Sequence, residues 1–151
     1  MGRAWARMVA VAVVVFACDQ VTKVVVDGAI ERGDHEELIL GVRLVNVRNT
    51  GVAFSSLQGA GPIIGVIVGI ALVALLWYFA RNATRPLIWL PAGMLLGGAL
   101  GNVADRIRVG AVIDFIKPSF WPAFNLADAA VTLGVILLLW VMERDARRRD
   151  A

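Results

Sequence analysis

The sequence predicts an all-α membrane protein of four transmembrane helices with a small extracytoplasmic β-element. Hydrophobic residues make up 59% of the chain, compared with roughly 45–50% in a soluble domain. Four apolar segments approach the length of about 20 residues that a helix needs to cross the hydrocarbon core. The arginines stand at the ends of these segments rather than in one stripe, which favours membrane flanks over a nucleic-acid-binding surface. The 151 residues suit a single domain, residues 1–151.

The four predicted spans account for about half of the chain. Their approximate bounds are Ala6 to Val26, Pro62 to Ala80, Leu87 to Val103 and Asn125 to Met142. Arginines precede the first span, fill the turn between the second and third, and follow the fourth. Alternating helices put all of these arginines on one side, which the positive-inside rule makes cytoplasmic. We therefore expect both termini in the cytoplasm, and the loops of about residues 27–61 and 104–124 outside.

The first span also has features of a cleavable secretory signal. Arg3 and Arg7 precede an apolar stretch, and Ala17-Cys18 follows it, as in a lipoprotein cleavage box. However, the apolar run continues past Cys18 to Val26, and three more spans follow. This continuation favours a permanent helix in which Cys18 is a small packed residue. A single cysteine excludes an internal disulfide, and His35 has no partner for a structural zinc site.

The first outward loop has the pattern of strands rather than of a plain linker. Leu38 to Phe54 is rich in Leu, Val and Ile, and partial alternation over Val42 to Arg48 predicts short strands. A small β-element lying on the membrane surface fits this pattern.

Small residues recur at helical spacing in the second and third spans. They are Gly61, Gly65 and Gly69, and then Gly97 and Gly101. In lipid, such spacing lets helix backbones approach closely. Helix packing is therefore favoured over direct contact with a substrate.

Six ionisable side chains lie in or beside the spans, where each costs roughly 2.5–3.5 kcal/mol at the centre of a helix by insertion scales. Alternation of the spans brings all six to the outward end of the bundle. They are Asp19, Lys23, Asp105, Arg106, Asp114 and Asp128. Asp19 and Lys23 stand at i,i+4 and can pair on one helix face, either as structure or as part of a site. Asp105 and Arg106 stand where a helix meets the interface, and capping or charge pairing is their simplest role.

Asp114 and Asp128 differ from the others because each is surrounded by apolar residues. Asp114 is expected in the loop after span three, and Pro118 and Pro122 would turn that loop back so that the two carboxylates could meet. Two carboxylates a few ångströms apart cannot both ionise. Such a pair can activate a water with one member and protonate a leaving amine with the other. The pattern alone leaves open an aspartic-protease site, a proton relay and a structural pair.

Five motifs follow one another between residues 19 and 128. They are Asp19-Gln20-Val21-Thr22-Lys23, Asn49-Thr50-Gly51-Val52-Ala53-Phe54, Gly97-Gly98-Ala99-Leu100-Gly101-Asn102-Val103-Ala104-Asp105-Arg106, Val112-Ile113-Asp114-Phe115 and Phe124-Asn125-Leu126-Ala127-Asp128. With these motifs the chain resembles the lipoprotein signal peptidase family, also called signal peptidase II. The motifs stand in family order, which chance does not plausibly produce.

The resemblance implies a membrane aspartic endopeptidase that removes signal peptides from bacterial prolipoproteins, cutting before a diacylglyceryl-modified cysteine. Asp114 and Asp128 would be the catalytic pair. The residues that would bind substrate or support the site are Asp19, Lys23, Asn49, Gly51, Asn102, Asp105, Arg106 and Asn125. The expected partners are modified prolipoproteins and membrane lipid, with no nucleic acid, no metal and no organic cofactor. We expect a monomer in the bacterial cytoplasmic (inner) membrane, with its active site near the extracytoplasmic face.

Two other classes of function stay open at this point. The aspartates of a small transporter or proton channel would form a relay, although a transporter more often shows paired halves with broken helices and the sequence has no internal repeat. In a non-catalytic assembly protein, the polar pairs would only fix helix packing. A Ser–Lys hydrolytic pair is chemically available, but no motif surrounds its residues.

Overall fold

The computed structural model describes residues 1–39, 41–50 and 61–149. These residues form four helices and three strands, in the order α1 Gly2–Ala29, β1 His35–Ile39, β2 Val42–Asn49, α2 Gly61–Asn82, α3 Trp89–Val109, β3 Val112–Pro118 and α4 Leu126–Arg149. Each predicted span overlaps one helix, and every helix extends beyond its predicted span at one end or at both. The fold is therefore mostly helical, with one small sheet.

Three of the helices in the described residues are long and apolar enough to cross a membrane. The qualifying segments are Gly2–Ala29, Gly65–Asn82 and Leu126–Arg147. Large apolar side chains are exposed along all three, among them Val13, Ile70 and Ile136, as a lipid-facing surface requires. The fourth helix, α3, is long enough but less apolar, since Asn102 and three charged side chains lie in its second half.

α3 is the central helix, and its glycines bring the neighbouring backbones close. A Cβ atom added at Gly97 would lie 2.5 Å from the carbonyl oxygen of Ala12 in α1, and one at Gly98 would lie 2.6 Å from that of Ala127 in α4. Both distances are closer than packed atoms tolerate, so only glycine fits. The prediction that small residues pack helices together is confirmed for α3. It is wrong for Gly65 and Gly69 of α2, where an added Cβ would meet nothing within 4 Å among the described residues.

The apolar core lies at the end of the bundle that carries the arginine clusters. Phe79 of α2 is fully buried there with Met8 of α1, Ile88 and Val141 of α4. Three arginines of this end lie over tryptophan rings, as the pairs Arg7–Trp89, Arg81–Trp77 and Arg144–Trp140, at 5.3–5.7 Å from the ring centres. Arginine and tryptophan together are typical of a membrane interface. We call this end of the bundle the basic end.

The three-stranded antiparallel sheet lies at the opposite end, in the order β1-β2-β3. β2 and the end of β1 fall where the alternating pattern predicted short strands. The expectation that Asp114 lies in a loop is wrong, because Asp114 stands in β3 opposite Val47 of β2. β3 completes the sheet by pairing the segment after α3 with the segment between α1 and α2. α3 ends just before β3 at Val109, and the next residue, Gly110, has a left-handed φ of 73° that suits glycine.

Candidate active site

A lysine is buried between two aspartates at the sheet end of the bundle. Nζ of Lys23 lies 2.8 Å from Oδ2 of Asp19 in the same helix and 2.7 Å from Oδ2 of Asp105 in α3, and all three side chains are fully buried. The expected i,i+4 pair of Asp19 and Lys23 is thus present. Asp105 joins it as a third member, which the i,i+4 spacing did not indicate. Buried charges persist only when they are paired and hydrogen-bonded, so this triad ties α1 firmly to α3.

The triad also holds the two chain segments that carry Asp114 and Asp128. Oδ1 of Asp19 accepts the backbone N–H of Ala127 at 2.9 Å, in the first turn of α4. Oδ2 of Asp105 accepts the backbone N–H of Ile113 at 3.2 Å, next to Asp114 in β3. Lys23 donates to Oδ1 of Asn102 at 3.0 Å. The hydrogen bonds of the triad therefore position Asp114 and Asp128 by holding the residues next to them in the chain.

Asn125 and Asp128 cap the start of α4 reciprocally. Oδ1 of Asn125 accepts the backbone N–H of Asp128 at 2.9 Å, and Oδ2 of Asp128 accepts the backbone N–H of Asn125 at 3.3 Å. This is the capping-box arrangement, in which two side chains satisfy otherwise free N–H groups. Nδ2 of Asn102 donates to Oδ1 of Asp128 at 2.8 Å. Both oxygens of Asp128 therefore have a donor.

Asp114 is held by two asparagines, and it is 2% exposed. Oδ2 accepts from Nδ2 of Asn49, and Oδ1 accepts from Nδ2 of Asn125, both at 2.9 Å. Burial raises the pKa of Asp114 to about 6, an effect that the bonds from the two asparagines oppose and the nearby charge of Asp128 reinforces. Asn125 thus contacts both aspartates. Its side chain binds Asp114, and both its side chain and its backbone bind Asp128. The two carboxylates are therefore linked through one residue, and the charge of Asp128 disfavours ionisation of Asp114.

Two cavities reach the aspartate pair from different sides. An apolar cavity of about 570 Å³ lies between α2, α3 and α4, with Asp128, Asn102 and Arg106 among its lining residues and Leu75 and Leu138 further along. A polar cavity of about 560 Å³ lies against the sheet and is lined by Asp114 and Asn49 among others. Space is therefore available for an apolar group on the side of Asp128 and for a polar group on the side of Asp114.

Most of the predicted site residues come together at this end. The six ionisable residues converge as expected, and Asn49, Asn102 and Asn125 lie among them. Arg106 donates to the backbone oxygen of Asn102 at 3.2 Å and lines the apolar cavity. Gly51, also predicted, lies outside the described residues.

One supporting residue was missed by the sequence reasoning. The sequence pattern indicated asparagines as the amide donors of the site. Nε2 of Gln20 also donates, to Asp19, to Asp105 and to the backbone oxygen of Gly101, each at 3.2 Å. Its place beside Asp19 in an otherwise apolar span was the available signal, since polar groups within a span need partners.

Comparisons with known proteins agree on one family. The family model described as signal peptidase (SPase) II matches residues 11–144. A lipoprotein signal peptidase of Moorella thermoacetica is 39% identical over 131 residues, 85% of this chain and 87% of that protein. One of Syntrophomonas wolfei is 41% identical over 110 residues, 73% of this chain and 74% of that protein. A solved bacterial membrane enzyme superposes with a TM-score of 0.83 at 35% identity, covering 89% of this chain and 91% of that one.

Proposed function

The chain belongs to the signal peptidase II family of bacterial membrane enzymes, which processes prolipoproteins, and from this premise we propose that it is an aspartic endopeptidase whose dyad is Asp114 and Asp128. The observation that carries the proposal is the shared contact of both carboxylates with Asn125. A pair held by one residue can act as a unit. Its substrate would be a prolipoprotein, cut before the diacylglyceryl-modified cysteine.

The two aspartates stand in environments that suit different roles. Asp128 lies in the first turn of α4, where the helix dipole favours a negative charge, and it accepts hydrogen bonds at both oxygens. Asp114 is buried in β3, where burial raises its pKa to about 6, so it holds a proton more readily than an exposed aspartate does. We assign Asp128 as the base and Asp114 as the acid.

In the proposed reaction, Asp128 takes a proton from a water whose oxygen attacks the carbonyl carbon of the residue before the cysteine. Asp114 donates its proton to the carbonyl oxygen, which gives a tetrahedral intermediate. The intermediate then returns the hydroxyl proton to Asp114 while Asp128 gives its proton to the cysteine nitrogen. The C–N bond breaks, releasing a carboxyl group and a free amine, and both aspartates regain their starting states.

The apolar cavity suits the signal segment of such a substrate. A signal segment crosses the membrane as an apolar helix, and the cavity runs from Asp128 between α2, α3 and α4 towards Leu138. The scissile bond must leave its helix to be attacked, and the backbone groups that are then freed need partners in a place without water. Asn102 and Arg106 line the cavity beside Asp128 and can supply those partners.

The proposed placement in the cytoplasmic (inner) membrane follows from the two different ends of the bundle. All four helices would cross the bilayer, with α3 shielded from lipid by α1 and α4. Arginines and tryptophans of the basic end would lie at the cytoplasmic interface, together with both termini. The sheet and the dyad would then lie near the extracytoplasmic face. All the site groups described above come from one chain, so a monomer would suffice.

The test is cleavage of a diacylglyceryl-modified prolipoprotein by the purified protein in detergent, followed as a shift on a gel. Asp114→Asn and Asp128→Asn should each reduce turnover by at least about a thousandfold, because asparagine cannot exchange a proton. The double variant should be no worse than either single one, since residues that act as a unit lose activity non-additively. The matched control is Asp145→Asn, at the basic end, where Asp145 pairs with Arg85.

Each outcome bears on a different part of the proposal. Near-normal turnover by folded Asp114→Asn would refute the dyad and make Asp105 the next candidate. Absence of any cleavage by the wild-type protein, with proton flux in vesicles that depends on Asp114, would favour a relay instead. Loss of cleavage in Asp145→Asn as well would show that the assay reports folding rather than chemistry.

A further inference from the structure

The polar cavity against the sheet contains basic residues that the proposed chemistry does not use. Besides Asp114 and Asn49, its lining includes Arg43 and Arg48 of β2, Lys117 of β3 and His35 of β1. Asp34 is the remaining acidic residue of the lining, and its Oδ1 accepts the backbone N–H of His35. Apart from the proposed acid Asp114, basic groups therefore outnumber acidic ones in this cavity.

Lys117 and Arg43 stand directly opposite each other on neighbouring strands. Like charges in this position repel each other. Lys117 is half-buried and has no hydrogen-bond or ion-pair partner among residues 1–39, 41–50 and 61–149. Within the same described residues, the ion-pair partner of Arg43 is Glu37, at a loose 3.9 Å. An anion seated between the two cations would relieve their repulsion.

Arg48 is a second source of unused donors in the same cavity. Its Nη2 pairs with Oδ1 of Asp27 at 2.6 Å. Its Nε and Nη1 are buried and have no hydrogen-bond partner within the described part of the chain. Buried donors of this kind are costly unless a further group binds them.

The spacing along β3 relates these cations to the proposed reaction. Asp114 and Lys117 are three residues apart on one strand, which at about 3.3 Å per residue is roughly 10 Å. Side chains at this odd spacing leave opposite faces of a strand, but both residues line the polar cavity. An extended peptide that passed Asp114 with its scissile carbonyl would reach Lys117 about three residues later. The first of those residues would be the modified cysteine, so the cations would face the second residue after it.

We infer that the polar cavity is a subsite for the start of the mature lipoprotein, with a preference for a carboxylate side chain near the second residue after the cysteine. The inference rests on the proposed function. The signal segment would occupy the apolar cavity beside Asp128, and the chain beyond the scissile bond must continue on the aqueous side. The polar cavity begins at Asp114 and contains the cations, so it provides both the path and the complementary charge.

The test uses three diacylglyceryl-modified prolipoprotein peptides that differ at one position. The second residue after the cysteine is Asp, Asn or Lys, and kcat/KM is measured in zwitterionic detergent at low and at moderate salt. We expect the Asp peptide to be cleaved about fivefold faster than the Asn peptide, as a partly exposed ion pair allows. The Lys peptide should be slower than both, and salt should reduce the differences.

Charge variants then assign the preference to particular residues. Lys117→Gln should remove most of the advantage of the Asp peptide while leaving kcat/KM for the Asn peptide within about twofold. Lys117→Glu should reverse the order, so that the Lys peptide becomes the better substrate. Arg32→Gln is the matched control, since Arg32 is exposed next to the sheet and does not line the cavity. It should keep the wild-type order.

Three results would overturn the inference in distinguishable ways. Equal cleavage of the three peptides by the wild-type protein would refute the subsite and leave the proposed function intact. An equal loss on all three peptides in Lys117→Gln that appears only in vesicles with anionic lipid would identify a lipid headgroup as the occupant. Failure of the wild-type protein to cleave any modified peptide would refute the proposed function and the subsite with it.

Discussion

Replacement of Lys23 by methionine should destabilise the protein by about 3–5 kcal/mol, the usual cost of removing one partner from a buried ion pair. Methionine fills a similar volume but leaves Asp19 without a counter-ion among the described residues and Asp105 with only the half-exposed Arg108, at 3.4 Å. Because both oxygens lie within 2.8 Å of the same nitrogen, they are less than about 6 Å apart. At an effective dielectric constant near 20, their repulsion alone amounts to about 3 kcal/mol.

The control is a neutral triad, the triple variant Asp19→Asn, Lys23→Met and Asp105→Asn. Each asparagine still offers an oxygen to the backbone N–H of Ala127 or Ile113, which the aspartates now bind. With no unpaired charge left, most of the lost stability should return. Recovery in the triple variant would show that charge pairing, rather than the shape of the lysine, is what the buried site requires.

The assay is equilibrium unfolding in mixed micelles, followed by tryptophan fluorescence, at a pH near 7. A free energy of unfolding for Lys23→Met within about 1 kcal/mol of the wild-type value would refute the reasoning, because burying an uncompensated charge costs more than that. A triple variant as unstable as Lys23→Met would also contradict it. Cleavage by the triple variant then tests whether the triad positions the dyad, since the bond from Lys23 to Asn102 is lost.

Three further outcomes follow from the same structure. Because the folded pKa of Asp114 is raised from 3.8 to about 6, its contribution favours folding below pH 4 and is lost as the pH rises through 6. The stability of Asp114→Asn relative to wild type should therefore increase between pH 4 and 8, by at most about 3 kcal/mol, and an unchanged difference would contradict the burial of this group. Cys18 is exposed on α1, so the expectation that it is a packed residue is wrong. Cys18→Ala and chelators should leave cleavage nearly unchanged, and a loss that zinc restores would refute the aspartic assignment. Reporters fused after Ala151 or in the turn of residues 83–86 should read as cytoplasmic and one near Asp34 as external, and an external C-terminus would refute the four-span arrangement.

The helices and the convergence of the polar residues were predictable from the sequence because both depend on local patterns. Long apolar runs mark the helices, and an up-and-down arrangement of successive helices brings the polar residues to one end of the bundle. The triad of Asp19, Lys23 and Asp105 could be predicted only in part, since the i,i+4 pair is local and its third member lies on another helix. The spacing of Asn125 and Asp128 matches a capping box and therefore indicates that Asn125 caps a helix.

β3 was missed because its strand partner is distant in the sequence. Val112 to Pro118 is a short apolar run between a glycine and a proline, which is consistent with a buried strand but also with a loop. Its pairing with β2 joins residues that are 63 to 76 positions apart, and no local pattern records such a pairing. The prediction for the glycines of α2 was wrong for the opposite reason. Their local spacing indicated a packing partner, but the described part of the chain does not supply one.

The asymmetry of the proposed dyad originates in secondary structure rather than in the two side chains, which are chemically identical. Asp128 stands at the start of a helix, where free N–H groups and the helix dipole stabilise a negative charge. Asp114 stands in a strand covered on both sides, where burial favours the neutral acid. Asn125 caps the helix and binds the strand residue at 2.9 Å, so the hydrogen bonds that begin α4 also set the distance between the acid and the base. A substitution of Asn125 would therefore weaken the helix start and the dyad together. Backbone elements hold this geometry more rigidly than loops could, as a reaction with two timed proton transfers requires.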